Sequence, residues 1–177
     1  MNVSLFSDDR YFSSGLMSTL QNEGTRCDIY SISDFNAARV HSMSDFCDLV
    51  ILDINLEQSL NHLFMMRNTL SNVLFVVDIP PEFVVDNCRV ISRRSSTDGL
   101  IYKIKRFMDF KVPQVKKTEL ETLRLYNAGW DISSISSQLN ITPKSAYRLR
   151  YNLVRKIGFL RYHPVTAIYC EKISALL

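Results

Sequence analysis

TPKSAYRLRYNLVRKIGF, from Thr142 to Phe159, is the stretch that decides how this chain is read. Thr142 can cap the first free amides of a helix, Pro143 suits its first position, and Gly158 supplies the stop. Ala146, Leu149, Leu153, Val154 and Ile157 recur at helical spacing and predict one buried face. The remaining surface carries Lys144, Ser145, Tyr147, Arg148, Arg150, Tyr151, Arg155 and Lys156. These cations and hydroxyls can reach the phosphates and base edges of a nucleic acid. A solvated helix can show the same chemistry, so the neighbouring segments must decide.

Upstream, Leu120, Leu123, Leu125 and Tyr126 predict a helix over Glu119 to Ala128 that stops at Gly129. Asp131 is a good cap for ISSISSQL, in which Ile132, Ile135 and Leu139 share a face. Asn140 and Ile141 leave room only for a tight turn into the Thr142 cap. Two short helices so joined match the helix-turn-helix plan, whose second helix enters the major groove. His163 and Pro164 open a fourth helix with Val165, Ile168, Tyr169, Ile173 and Leu176 as its apolar positions.

Val115 to Leu177 resembles the DNA-binding domain of the LuxR/FixJ (GerE-type) transcription regulators. Glu119, Leu123, Gly129, Ile135, Leu139, Ile141, Asn152, Lys156 and Gly158 stand where that pattern expects them, without gaps. The resemblance implies base reading by Tyr147, Arg148 and Tyr151, phosphate contacts from Lys144, Ser145 and Lys156, and a dimer formed through the fourth helix. The chain departs from the pattern at Tyr147 and Leu149, where Lys and His are frequent, and at Lys116, where Thr or Ser is usual.

Charge follows the same division. Residues 113–177 hold ten Lys/Arg against four Asp/Glu, whereas residues 1–112 hold eleven against fourteen, so the net +3 conceals a basic end on an acidic front. Attraction to a polyanion through counterion release needs that concentration of charge. A length of 177 residues with 46% apolar and 22% charged residues suits two small globular domains. No apolar run approaches the ~20 residues of a membrane span, and MNVSLFSDDR lacks the marks of a signal peptide, so a cytoplasmic protein with no membrane partner is expected. Cys27, Cys47, Cys88 and Cys170 show no metal or disulfide spacing and are read as reduced, mostly buried thiols.

The front alternates strands and helices. NVSLF, CDIYSI, DLVILDI, VLFVVDI and RVIS read as strands. Helices are expected from Tyr11, Phe12, Leu16, Met17 and Leu20, from Leu60, Leu63, Phe64, Met66 and Leu70, and from Leu100, Ile101, Ile104, Phe107 and Met108. Such alternation predicts an α/β, flavodoxin-like parallel sheet, with ligand chemistry beyond the carboxyl ends of its strands. That rule selects Asp8, Asp9, Asp53 and Asp78.

Residues 1–108 accordingly resemble a response-regulator receiver domain, joined by a linker at 109–117 to the four-helix domain at 118–177. DDRYFSSGL is similar to the receiver's acidic pair and first helix, and LVILDI to the strand presenting the phosphorylatable aspartate, here Asp53. In a working receiver the acidic pair and that aspartate hold Mg²⁺, while a Thr or Ser and a Lys bind the phosphoryl group. Here Asp78 and Arg93 stand at those two positions. A carboxylate repels phosphate, and a guanidinium differs in geometry from an ammonium. The connection from the fourth strand to Arg93 is also short, with Pro80-Pro81 inside it, so the receiver's fourth helix is expected to be shortened or absent.

The combined reading is a degenerate receiver fused to a helix-turn-helix domain, similar to enterobacterial auxiliary regulators of capsule synthesis and acid resistance. It implies a transcription regulator, not an enzyme, that needs no cofactor and binds double-stranded DNA. It would act as a homodimer or as the partner of a LuxR-type response regulator, with RNA polymerase a further candidate partner. Two alternatives compete: a regulator phosphorylated at Asp53 with Mg²⁺ on Asp8, Asp9 and Asp53, and a modulator that binds another regulator without touching DNA. No nucleophile with its base, and no glycine-rich phosphate loop, supports independent catalysis; His41, His62 and His163 are isolated.

Overall fold

The computed structural model of the chain describes residues 1–36, 39, 42–43, 46–56, 72–86, 88–110 and 113–176. Five parallel strands, β1 (Asn2–Phe6), β2 (Arg26–Tyr30), β3 (Leu49–Ile54), β4 (Val73–Val77) and β5 (Val90–Ser92), form one sheet in the order β2-β1-β3-β4-β5. Every residue of β3 and β4 is buried, as unbroken apolar runs in the middle of a parallel sheet require. Alternation along these strands divides the core in two. Leu49, Ile51, Leu74 and Val76 face α1 (Arg10–Asn22) and α2 (Thr97–Lys105), sharing a cluster with Leu16, Leu20, Leu100 and Ile104.

The same helices correct two details of the sequence reading. Tyr11, placed on the apolar face of α1, is 95% exposed. The α2 helix ends at Lys105, and Phe107 reaches the core from a separate 3₁₀ turn, Phe107–Asp109. The helix expected from Leu60 to Leu70, the His41 and His62 positions and the Met108 side chain lie outside what is described.

Four helices follow: α3 (Lys117–Asn127), α4 (Ile132–Leu139), α5 (Pro143–Ile157) and α6 (Pro164–Leu176). Asp131 caps α4 through the amides of Ser133 and Ser134, and Thr142 caps α5 through that of Ser145. Between them Asn140 takes the left-handed conformation, φ 52°, which its short polar side chain tolerates, and this reverses the chain within three residues.

The second face of the sheet continues into these helices. Val50, Leu52, Ile54, Phe75, Val77 and Val90 belong to one hydrophobic core with Leu123, Leu153, Ile157, Phe159, Tyr169, Ile173 and Leu176. Between β4 and β5, the helical structure among the described residues is a single 3₁₀ turn, Pro81–Phe83, in keeping with the expected loss of a helix there. The chain leaving that turn pairs antiparallel with the end of α5: the Val85 amide donates to the Gly158 carbonyl at 2.8 Å, and the Leu160 amide to the Phe83 carbonyl at 2.9 Å. The Tyr169 hydroxyl accepts from the Asp78 amide, and Lys172 Nζ donates to the carbonyls of Asn55 and Leu56. Segments read as two domains therefore share a core and a stretch of backbone pairing.

Candidate nucleic-acid interface and degenerate acidic site

The α5 helix has the two faces its sequence predicts. Ala146, Leu153, Val154 and Ile157 are buried and Leu149, expected with them, is half-buried, while Lys144, Tyr147, Arg148, Tyr151 and Arg155 are exposed, with Ser145 half-buried at the first turn. Among the described residues no carboxylate pairs with Lys144, Arg148 or Arg155, so their charge is open to solvent. Arg155 lies beside the Tyr151 hydroxyl and the Leu160 carbonyl, each at a long 3.3 Å. Lys144 and Ser145 sit at the amino end of α5, where the helix dipole favours an anion.

Two residues assigned to DNA have other partners. Lys156 Nζ lies 2.6 and 2.8 Å from the two carboxylate oxygens of Glu119, which is almost wholly buried and also accepts from the Lys116 amide. Its charge is needed inside, because an unpaired carboxylate there would be costly, so Lys156 is not free to hold a phosphate. Arg150 is turned inward among the rings of Tyr126, Tyr147 and Tyr162.

The fourth helix departs from the expectation of a dimer seam. Eight of its residues are buried, including Tyr169, Cys170, Ile173 and Leu176, and of its described apolar side chains Ile168 and the first-turn Pro164 are exposed. A helix covered on nearly all sides is a core helix.

At the carboxyl ends of the strands the four aspartates do not converge. Asp53, 2% exposed, receives the Ser7 hydroxyl at 2.6 Å on one oxygen and Arg93 at 2.5 Å on the other. The second guanidinium nitrogen of Arg93 reaches Asp9 at 3.0 Å, while the other Asp9 oxygen caps α1 through the amides of Tyr11 and Phe12. Asp8 turns away and accepts from Ser31 and the Ile32 amide; Asp78 pairs with Arg94 at the surface. Arg93 also lies against the Phe12 ring.

Burial holds the Asp53 carboxyl above its usual range, against the hydrogen bonds from Arg93 and Ser7. Burial opposes the charge of Arg93, but Asp53 and Asp9 outweigh it and raise its pKa. The paired Arg94 lowers that of Asp78.

These residues do not fit a divalent cation. The guanidinium fills the space between Asp9 and Asp53, both Asp53 oxygens are engaged, and Asp8 points elsewhere; no group of three potential metal ligands occurs among the described residues.

The chain shares the fold of the response regulator RcsB. A structure of two RcsB dimers bound to two parallel DNAs matches it at 13% identity and a TM-score of 0.51, covering 100% of this chain and 99% of that one. RcsB from Salmonella enterica serovar Typhimurium, bound to promoter P1flhDC in the presence of phosphomimetic BeF3-, matches at 12% identity and a TM-score of 0.52, with the same coverage. No protein-family model and no curated protein matches the sequence. Among the described residues no helix is long and apolar enough to cross a membrane.

Sequence reading missed Ser7, the Glu119–Lys156 pair, and the contacts of Tyr169 and Lys172 with the strand-end loops. Ser7 has a local signal, directly after β1 and two residues before Asp9. The others join segments far apart in the chain and leave none.

Proposed function

We propose that this chain is a sequence-specific DNA-binding transcription regulator of response-regulator type, in which α4 and α5 form the helix-turn-helix and the sheet half is not switched by phosphate transfer. One observation carries the reading: Lys144, Tyr147, Arg148, Tyr151 and Arg155 line a single exposed face of a capped helix whose opposite face is core. The shared fold agrees with it, because RcsB presents that fold on DNA. Tyr147, Arg148 and Tyr151 are the base-reading candidates; Lys144, Ser145 and Arg155 hold phosphates. Arg93 supports the absence of phosphotransfer, since it already supplies Asp53 with the positive partner that a phosphoryl-binding site would need to offer an incoming group.

The protein works as a homodimer or beside an intact response regulator. With α6 enclosed, the dimer in this conformation uses a face other than α6. Selection from a random duplex pool, followed by binding of variants to the selected site, tests the proposal. Arg148→Ala is expected to weaken the selected site by about 1–3 kcal/mol and to relax one base position. Equal weakening on random DNA removes its reading role, and wild-type protein that retains no duplex removes the DNA-binding function. Acetyl-phosphate labelling is expected to give no signal that Asp53→Asn abolishes; an Asp53-dependent label restores the phosphorylated regulator.

A further inference from the structure

Arg150 occupies the reading helix without joining its exposed face. Its Cζ lies 4.0 Å from the ring centroid of Tyr162, 4.2 Å from that of Tyr126 and 5.2 Å from that of Tyr147. Nε is buried and has no hydrogen-bond partner, and the Tyr126 hydroxyl is likewise buried and unpartnered. No carboxylate pairs with Arg150 among the described residues. With no carboxylate beside it and no partner for Nε, the guanidinium lies against the faces of the rings. Such contacts strengthen with desolvation and suit a planar, weakly hydrated guanidinium better than an ammonium.

The three rings are not equivalent. Tyr126 comes from α3 and Tyr162 from the turn before α6; both are half-buried and lie against each other at 6.3 Å. Tyr147, one turn before Arg150 on α5, is 51% exposed. The stack thus has an inner end fixed by two other elements and an outer end on the face presented to DNA. A tyrosine free to rotate about its side-chain bonds would lose that freedom on docking, and the stack removes part of that loss beforehand.

We infer that Arg150 is a positioning residue for sequence reading: it fixes the attitude of the Tyr147 ring and does not itself touch DNA. The inference rests on the DNA-reading function proposed above. Arg150 thereby sets specificity through its neighbour, unlike Lys144 or Arg148, which act directly.

The test is a double-mutant cycle in the full-length protein, combining Arg150→Met and Tyr147→Ala. Binding is measured on the selected site and on a random duplex over a range of salt. Arg150→Met is expected to lower the ratio of selected to random affinity by about 3–20-fold, the scale of a cation–π contact. It should leave the salt slope unchanged and have no further effect on the ratio once Tyr147 is alanine. In the DNA-free protein with ¹³C-labelled tyrosine, the ring resonances of Tyr147 should move in Arg150→Met.

A fall of about one in the salt slope identifies Arg150 as a phosphate contact and overturns the inference. Equal losses on both duplexes, or additive effects of the two substitutions, overturn it as well. Arg150→Lys guards against a Met variant that fails to fold: it keeps the charge but not the planar stack, and the same drop in ratio is expected. Wild-type protein without preference between the duplexes overturns the underlying DNA reading, and that first measurement separates the two failures.

Discussion

Gly158→Ala is the sharpest probe of how the helices are seated on the sheet. Gly158 closes α5 at φ 125°, and a methyl group there would lie 2.5 Å from Cys88 Sγ, 2.8 Å from Cys88 Cβ and 3.5 Å from Val90 Cγ2. Cys88 has little room to yield, since its thiol is held within 3.0 Å of the Val85 carbonyl and 3.3 Å of the Val90 carbonyl. Backbone strain contributes about 1–2 kcal/mol and overpacking about 1–3 kcal/mol. The sum, about 2–5 kcal/mol, is a large part of the roughly 5–15 kcal/mol that holds an ordinary protein together. Urea unfolding followed by far-ultraviolet circular dichroism and by the fluorescence of Trp130 measures it. With a slope of about 2 kcal/mol/M the midpoint should fall by about 1–2.5 M.

The backbone part would arise at the end of α5 whether or not the helix is seated on the sheet, so a second substitution is needed. Cys88→Ala removes the nearer atom and should recover at least about 0.5 kcal/mol of the Gly158→Ala loss. An additive cycle, in which the loss is the same with cysteine or alanine at position 88, would refute the packing of Gly158 on Cys88.

Arg93→Ala leaves buried Asp53 without its cation and should cost about 3 kcal/mol. A carboxyl whose pKa is raised by folding favours the folded state below its unfolded pKa and loses that contribution as pH rises through the folded value. Without Arg93 the Asp53 pKa rises further, so the loss should be larger at pH 7 than at pH 4.5; equal losses in urea titrations at the two pH values would count against the pairing. Lys156→Ala strands Glu119 and should lower stability by about 2–3 kcal/mol, the lower end because Lys156 is itself exposed, with the salt slope of the proposed DNA binding unchanged. A slope reduced by about one with unaltered stability would return Lys156 to the phosphate-binding set. Burial pushes the Cys27 thiol up to about 11 and also raises Cys88 and Cys170, so these thiols should react slowly with Ellman's reagent at pH 8 and fully in guanidinium. Fast labelling of the native protein at any of the three would show that its burial is wrong.

The sheet was legible because its signal is local. Runs such as LVILDI and VLFVV are long enough to bury on both faces, and each strand of the structure falls within a strand read from the sequence or begins one residue before it. The α4–turn–α5 unit was legible for the same reason, since Asp131, Asn140, Thr142 and Gly158 each mark a boundary in their own few residues. Chain order and caps therefore gave the elements of both halves, and the composition of α5 gave the chemistry of one face.

Partners were a different matter, because pairing depends on distance in space and period alone cannot supply it. Arg150 and Lys156 read as free cations in the helical projection, yet one is enclosed by rings from two other elements and the other is bound to Glu119, thirty-seven positions away. The buried surroundings of α6 become clear only when the sheet and the end of α5 are placed against it. By itself the sequence determined which segments are strands and helices and which helix face is basic, since backbone preference and hydrophobic period act over a few residues. The tertiary structure decided which charges stay available, because a buried carboxylate or an aromatic face captures the nearest cation regardless of where either lies in the chain.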